Sequence, residues 1–207
     1  MAGDKYGVLK IINVKTRETV FCTKAHGSEI LDIAIHEDGD KTLVASASRD
    51  RTVQLYKRMV EWTLLQTLDE HTASVNGLVF CDGGEKLVSI SSDRTCIVRQ
   101  ISTREIQGQS VMAAIPNKVI TLKASPVSMV LSPSLSIASL TISCLDKTVT
   151  TYEISTGKLV SSFRATDGDG NEAVVLDSLI MTKSNSVGGR SILAGVSTAV
   201  RFNSLLL

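Results

Sequence analysis

Neither sign of charge is in excess in this 207-residue chain: 22 Lys and Arg stand against 21 Asp and Glu, a formal net charge of +1. The electrostatic footprint of a protein that binds nucleic acid or an anionic membrane surface is therefore missing. No apolar run approaches the ~18 residues that a membrane-spanning helix needs, and Met1-Ala2-Gly3-Asp4 has neither part of a secretion signal. A cytoplasmic or nuclear chain is expected. The four cysteines, Cys22, Cys81, Cys96 and Cys144, stand singly in strand-like stretches with no CxxC pair. That usage predicts buried free thiols rather than disulfides or a zinc site. With only three histidines, His26, His36 and His71, there is little material for acid–base catalysis, and no set of ligands for a metal or cofactor can be assembled.

What the chain does contain is self-similarity. Ser48-Arg49-Asp50-Arg51-Thr52-Val53-Gln54-Leu55-Tyr56 returns as Ser91-Ser92-Asp93-Arg94-Thr95-Cys96-Ile97-Val98-Arg99 and as Cys144-Leu145-Asp146-Lys147-Thr148-Val149-Thr150-Thr151-Tyr152. Each copy reads as a small residue, Asp, a cation and Thr, followed by a strand. The aspartates are spaced by 43 and 53 residues, and the first spacing lies within the ~40–45 residues of a four-stranded propeller blade with a WD-type signature. A weaker copy, Asp4-Lys5-Tyr6-Gly7-Val8-Leu9-Lys10-Ile11, comes before them.

The chemistry of such a turn explains the residue choice. An Asp between two strands accepts backbone N–H groups and a neighbouring hydroxyl, and the Thr after it favours the strand that begins there. In the WD-repeat family, which these turns resemble, the Asp also pairs with a His ahead of the blade's innermost strand, and that His bonds a Ser or Thr and an aromatic. The resemblance implies one network of His26, Ser46 or Ser48, Asp50 and Tyr56, and a second of His71, Ser89 or Ser91 and Asp93. In the second, Arg99 stands where an aromatic is expected, so that network is expected to be broken at one end. A third blade keeps Asp146 and Tyr152 but has no His before Pro126. Because one active site does not recur in every blade, these His–Asp pairs are structural rather than catalytic.

Strand signals fit the same frame. Leu31–Ile35, Leu43–Ser46, Val53–Tyr56 and Leu64–Leu68 read as the four antiparallel strands of one blade, with polar turns between them. The expected fold is an incomplete all-β WD40-type propeller with parts of about five blades: the end of a first blade over 1–25, blades over 26–69, 70–118 (with a long insertion) and 119–165, and an incomplete blade over 166–207. The first lacks its inner half, and the repeat register is expected to fail after Thr198, so truncation at both ends is anticipated. Open blade edges would then favour self-association.

The wording of the repeats carries a narrower resemblance. Gly3 to Ile11, Leu43 to Arg51, Leu65 to Val75, Cys144 to Lys147 and Ser155 to Leu159 resemble the mitogen-activated protein kinase binding protein 1 family, which includes a spindle-pole WD-repeat relative and fungal homologues. The likeness weakens between Arg99 and Ala124. It implies a non-enzymatic scaffold whose partners are signalling-kinase components or spindle and cytoskeletal proteins, with a cytoplasmic, nuclear or spindle-pole location. A different reading is a substrate-receptor or adaptor propeller in a modification complex such as a ubiquitin ligase.

Candidate partner-binding residues are the cations beside the Asp turns, Arg49, Arg51, Arg94 and Lys147, and Trp62 as an aromatic anchor. Each has a plainer reading, as a solvated turn cation or as blade-rim packing. His36, beside Glu37 and Asp38, is expected to be a solvated turn residue. Asp167-Gly168-Asp169-Gly170-Asn171-Glu172 opens like a calcium loop, but Glu172 and Ser178 occupy the sixth and twelfth positions, where Gly and Glu belong. An interblade loop is expected there.

Overall fold

The protein is described here from a computed structural model, whose described residues are 1–39, 41–106, 109–132, 138–165, 175–183, 191–197 and 202–206. The calcium-like stretch lies outside them. Eighteen strands follow one another: β1 (Ala2–Gly3), β2 (Val8–Ile12), β3 (Thr19–Lys24), β4 (Ile30–Asp38), β5 (Lys41–Ser48), β6 (Val53–Arg58), β7 (Trp62–Leu68), β8 (Val75–Cys81), β9 (Lys86–Ser91), β10 (Thr95–Ile106), β11 (Gln109–Thr121), β12 (Pro126–Leu131), β13 (Ser139–Cys144), β14 (Thr148–Glu153), β15 (Leu159–Arg164), β16 (Val175–Lys183), β17 (Ser191–Ser197) and β18 (Phe202–Leu206). They form five sheets in sequence order, β1–β3, β4–β7, β8–β11, β12–β15 and β16–β18. The pairings are antiparallel, and two compact units divide the chain, Met1–Val119 and Ile120–Leu207.

In the first unit the period-two pattern is buried on both faces. From β5, Leu43, Ala45 and Ala47 join Val53, Leu55, Leu78, Phe80 and Leu87 in a core between the second and third sheets. Val44, on the opposite face of β5, joins Leu9, Ile30 and Tyr56 in a core between the first and second. A strand covered on both sides reads as a near-continuous apolar run with small residues, which is the sequence of β5. In the second unit, Val149 and Ala165 pack with Val130 and Phe163.

One expectation changes. Where repeat wording fades after Arg99 and a long insertion was expected, the described residues up to Thr121 lie in β10 and β11, neighbouring strands of one sheet. Repeat spacing alone does not reveal this, because the extra residues lengthen two strands instead of forming a separate element. Beyond Thr198, β18 pairs with β17 from Ile192↔Leu206 to Val196↔Phe202. Leu205 and Leu206 thus belong to a strand.

Candidate functional site

Each Asp turn begins with the backbone. Asp50 Oδ1 accepts the Thr52 N–H at 3.0 Å and the Thr52 hydroxyl at 2.7 Å, while Oδ2 accepts the Gly27 N–H at 2.9 Å and faces His26 Nδ1 at 3.1 Å. The second turn repeats this: Asp93 takes Thr95 N–H and hydroxyl at 2.9 and 2.6 Å, Thr72 N–H at 3.0 Å and His71 Nδ1 at 3.0 Å. With Nδ1 donating to the carboxylate, Nε2 must accept, and the hydroxyls of Ser46 and Ser89 donate to it at 2.8 Å. The serine two residues before the Asp has a different task. Ser48 and Ser91 receive the Asp N–H and donate to the carbonyls of Ser28 and Ala73.

Both histidines are buried. Burial, which disfavours the imidazolium, outweighs the pull of the neighbouring aspartate and keeps each His below its ordinary pKa, so both are neutral. For Asp50 and Asp93 burial acts to raise the carboxyl, but hydrogen bonds from the Thr and the adjacent backbone prevail, and both lie below the ordinary range. The His26 loop is held by Gly7, whose carbonyl accepts the N–H groups of both Ala25 and His26 at 3.0 Å. Gly7 sits at φ +80°, and a Cβ there would come within 2.3 Å of the His26 carbonyl oxygen.

The two networks end differently, and opposite to expectation. Tyr56, expected to complete the first, forms no hydrogen bond with Ser46 among the described residues; it packs edge-on against Phe21 at 5.7 Å. Arg99, expected to break the second, extends it. Its side chain is 0% exposed; Nη1 donates to Ser89 Oγ at 2.7 Å and Nη2 to Glu70 at 2.8 Å, while Nε is buried without a hydrogen-bond partner. A planar fork reaches two acceptors where an indole reaches one. Burial alone would raise the Glu70 carboxyl, but Arg99 holds it below the ordinary range.

The third turn keeps Asp146 bonded to the Thr148 N–H and hydroxyl at 3.2 and 2.6 Å. Leu122 stands four residues before β12, where His26 and His71 stand four before β4 and β8, and Ile142 and Cys144 hold the two serine positions. All three are buried apolar side chains. A polar network and an apolar plug thus occupy equivalent places, and either satisfies burial. Tyr152 is buried nearby in β14.

The cations divide. Arg49 pairs with Glu29 at 2.9 Å. Arg51, Arg94 and Lys147 share a left-handed backbone, at φ 76°, 66° and 69°. Arg51 and Arg94 are exposed and make no ion pair among the described residues. Trp62 does not protrude as an anchor: it packs with Phe21, ring centroids 6.0 Å apart, and its indole Nε1 is buried without a hydrogen-bond partner. His36 is not a solvated turn residue either. It lies on β4 against Phe80, its Nε2 is buried and unpartnered, and Gly84 at φ +77° makes room for the ring, since a Cβ there would come within 2.1 Å of it. Sequence reading missed these contacts because Phe80, on the next sheet, and Gly84, in the turn after it, lie 44 and 48 positions beyond His36. Burial pushes the thiols of Cys81 and Cys144 up to about 11 and that of Cys96 up to about 12, while Cys22 is exposed.

Four-stranded antiparallel sheets, each closed by the same Asp–Thr turn and two of them by a buried His, define blades of a WD-type β-propeller, here an incomplete one. Residues 17–57 and 62–99 match the profile "WD domain, G-beta repeat", so this part of the chain carries WD40 repeats. It is 30% identical over 171 residues to mitogen-activated protein kinase-binding protein 1 of Mus musculus, and equally to that of Homo sapiens; each alignment covers 81% of this chain and 11% of the relative. WD repeat-containing protein 62 of Mus musculus is 24% identical over 170 residues, with the same coverage. The chain therefore spans about a tenth of the length of these relatives. Among solved structures, a chain of the "Crystal Structure of Mitotic Checkpoint Complex" superposes with a TM-score of 0.65 at 17% identity, covering 98% of this chain and 59% of that one; it shares the fold.

Proposed function

We propose that the chain is a non-catalytic protein-interaction segment of a scaffold, one that gathers signalling-kinase components or spindle and cytoskeletal proteins in the cytoplasm, nucleus or spindle pole. One observation carries this reading. The groups that would do chemistry, His26 with Asp50 and His71 with Asp93, are consumed by internal hydrogen bonds that recur from blade to blade, whereas the uncommitted charged groups, Arg51 and Arg94, face solvent at equivalent turns. Similarity to a kinase-binding protein supports the kinase side of the proposal.

Crosslinking mass spectrometry with the purified chain as bait tests it. Crosslinks to partners should concentrate around Arg51 and Arg94 and fall away in the Arg51→Glu/Arg94→Glu double variant, with the urea midpoint nearly unchanged. An identical crosslink map for the double variant would remove these residues from the binding surface, and turnover of any substrate abolished by His71→Gln would overturn the non-catalytic reading.

A further inference from the structure

The first and second sheets leave a cavity of about 310 Å³ between β3 and the β6–β7 hairpin, lined by Val20, Phe21, Arg58, Val60, Glu61 and Trp62. Its floor is aromatic, since Phe21 and Trp62 pack against each other there. Its border mixes exposed apolar and charged side chains: Val20 is 50% exposed, Val60 95% and the neighbouring Met59 71%, with Arg58 and Glu61 exposed among them. On the adjacent β2–β3 hairpin, Val14 is 88% exposed. Single exposed apolar residues are ordinary, but a cluster around an aromatic-floored cavity marks an interaction site.

We infer that this cavity receives one bulky apolar side chain of an extended partner segment, flanked by an acidic residue on one side and a cation on the other. The volume lies at the bottom of the ~300–1,000 Å³ range of ligand pockets, room for a side chain and its backbone rather than for a cofactor. The flanking charges follow from the rim. Arg58 and Glu61 are both exposed and neither has an ion pair among the described residues, so a segment of matching polarity gains two charge contacts and the reverse polarity meets like charges. An extended segment suits the site because β3 and β7 are the outermost strands of their sheets and offer unpaired backbone groups beside it. This inference rests on the scaffold reading and supplies the chemistry of one partner.

The protein carries its own probe, since Trp62 is the single tryptophan. Fluorescence of the purified chain is followed on titration with three capped heptapeptides lacking tryptophan, their charges two residues either side of the Phe so that an extended chain turns all three to one face: Ser-Asp-Gly-Phe-Gly-Lys-Ser, its counterpart with Asp and Lys exchanged, and one with Ser for Phe. One charge order should bind at least about tenfold more tightly than the other, and the Phe-less peptide should not bind. Val60→Asp, a change at an exposed position, should weaken binding at least about tenfold without moving the urea midpoint, and Arg58→Glu should abolish the preference for charge order. No binding of either Phe peptide up to about 1 mM, or equal binding of all three, overturns the inference. So does dimerisation by light scattering that Val60→Asp removes and no peptide competes, which would make a second copy the occupant. Partner crosslinks that persist at Arg51 and Arg94 while the peptides fail sink the cavity alone; peptide binding with no such crosslinks sinks the turn surface alone.

Discussion

Asp50, Asp93 and Asp146 hold equivalent turns with unequal stakes. Asp93 is the least exposed of the first two, its side chain at 9% against 21% for Asp50, and removing it strands His71, whose partner Ser89 is also tied to Arg99. Asp93→Ala should cost about 2–3 kcal/mol, Asp50→Ala about 1–2, and Asp146→Ala, which strands no histidine, about 1 or less; urea unfolding of the three variants gives the order. Arg51 pays a conformational penalty at φ 76°. Arg51→Gly should therefore raise stability by about 0.5–1 kcal/mol, as glycine's freedom when unfolded offsets part of the relief. The two histidines set a pH dependence. Each is held below its unfolded value of 6.5, so the unfolded chain takes up the proton first; their contribution is intact above about pH 6.5 and is lost as pH falls below it. Asp50 and Asp93, lowered from 3.8, add a second loss below about pH 4. A urea midpoint that stayed flat from pH 8 to 5 would contradict the neutral-histidine assignment.

Strands were more legible than the networks that link them. Alternating residues located β4 to β7, and the Asp–Thr turns marked the starts of β6, β10 and β14, because period two and turn chemistry are local properties of the chain. Arg99 was misread for the opposite reason. Nothing within a few residues of it says that Glu70, 29 positions earlier, will accept its second nitrogen. Its importance is testable: Arg99→Ala should cost about 3 kcal/mol by leaving Ser89 and Glu70 without their donor, and Arg99→Lys should recover less than half, since an ammonium on a flexible stem cannot fork. Calorimetric unfolding of both variants decides this. The third turn was illegible for another reason: Leu122, Ile142 and Cys144 look like ordinary core residues until aligned with His71, Ser89 and Ser91.

Within Met1–Val119 the three sheets share two cores, and β5 contributes to both. Amide exchange should reflect that arrangement, slowest in β5 and β9, whose burial is nearly complete, and fastest in the outer strands β3 and β7. Uniform exchange across the four would contradict this hierarchy. Burial also sorts the thiols: Cys81, Cys96 and Cys144 are held as unreactive protonated groups inside sheets, leaving Cys22 on β3 beside Phe21 as the lone accessible sulfur among the four. A maleimide dye would therefore attach at one place without any engineered substitution. With Trp62 on β7 as donor, such a dye on β3 makes the chain of native sequence an energy-transfer pair spanning the two strands.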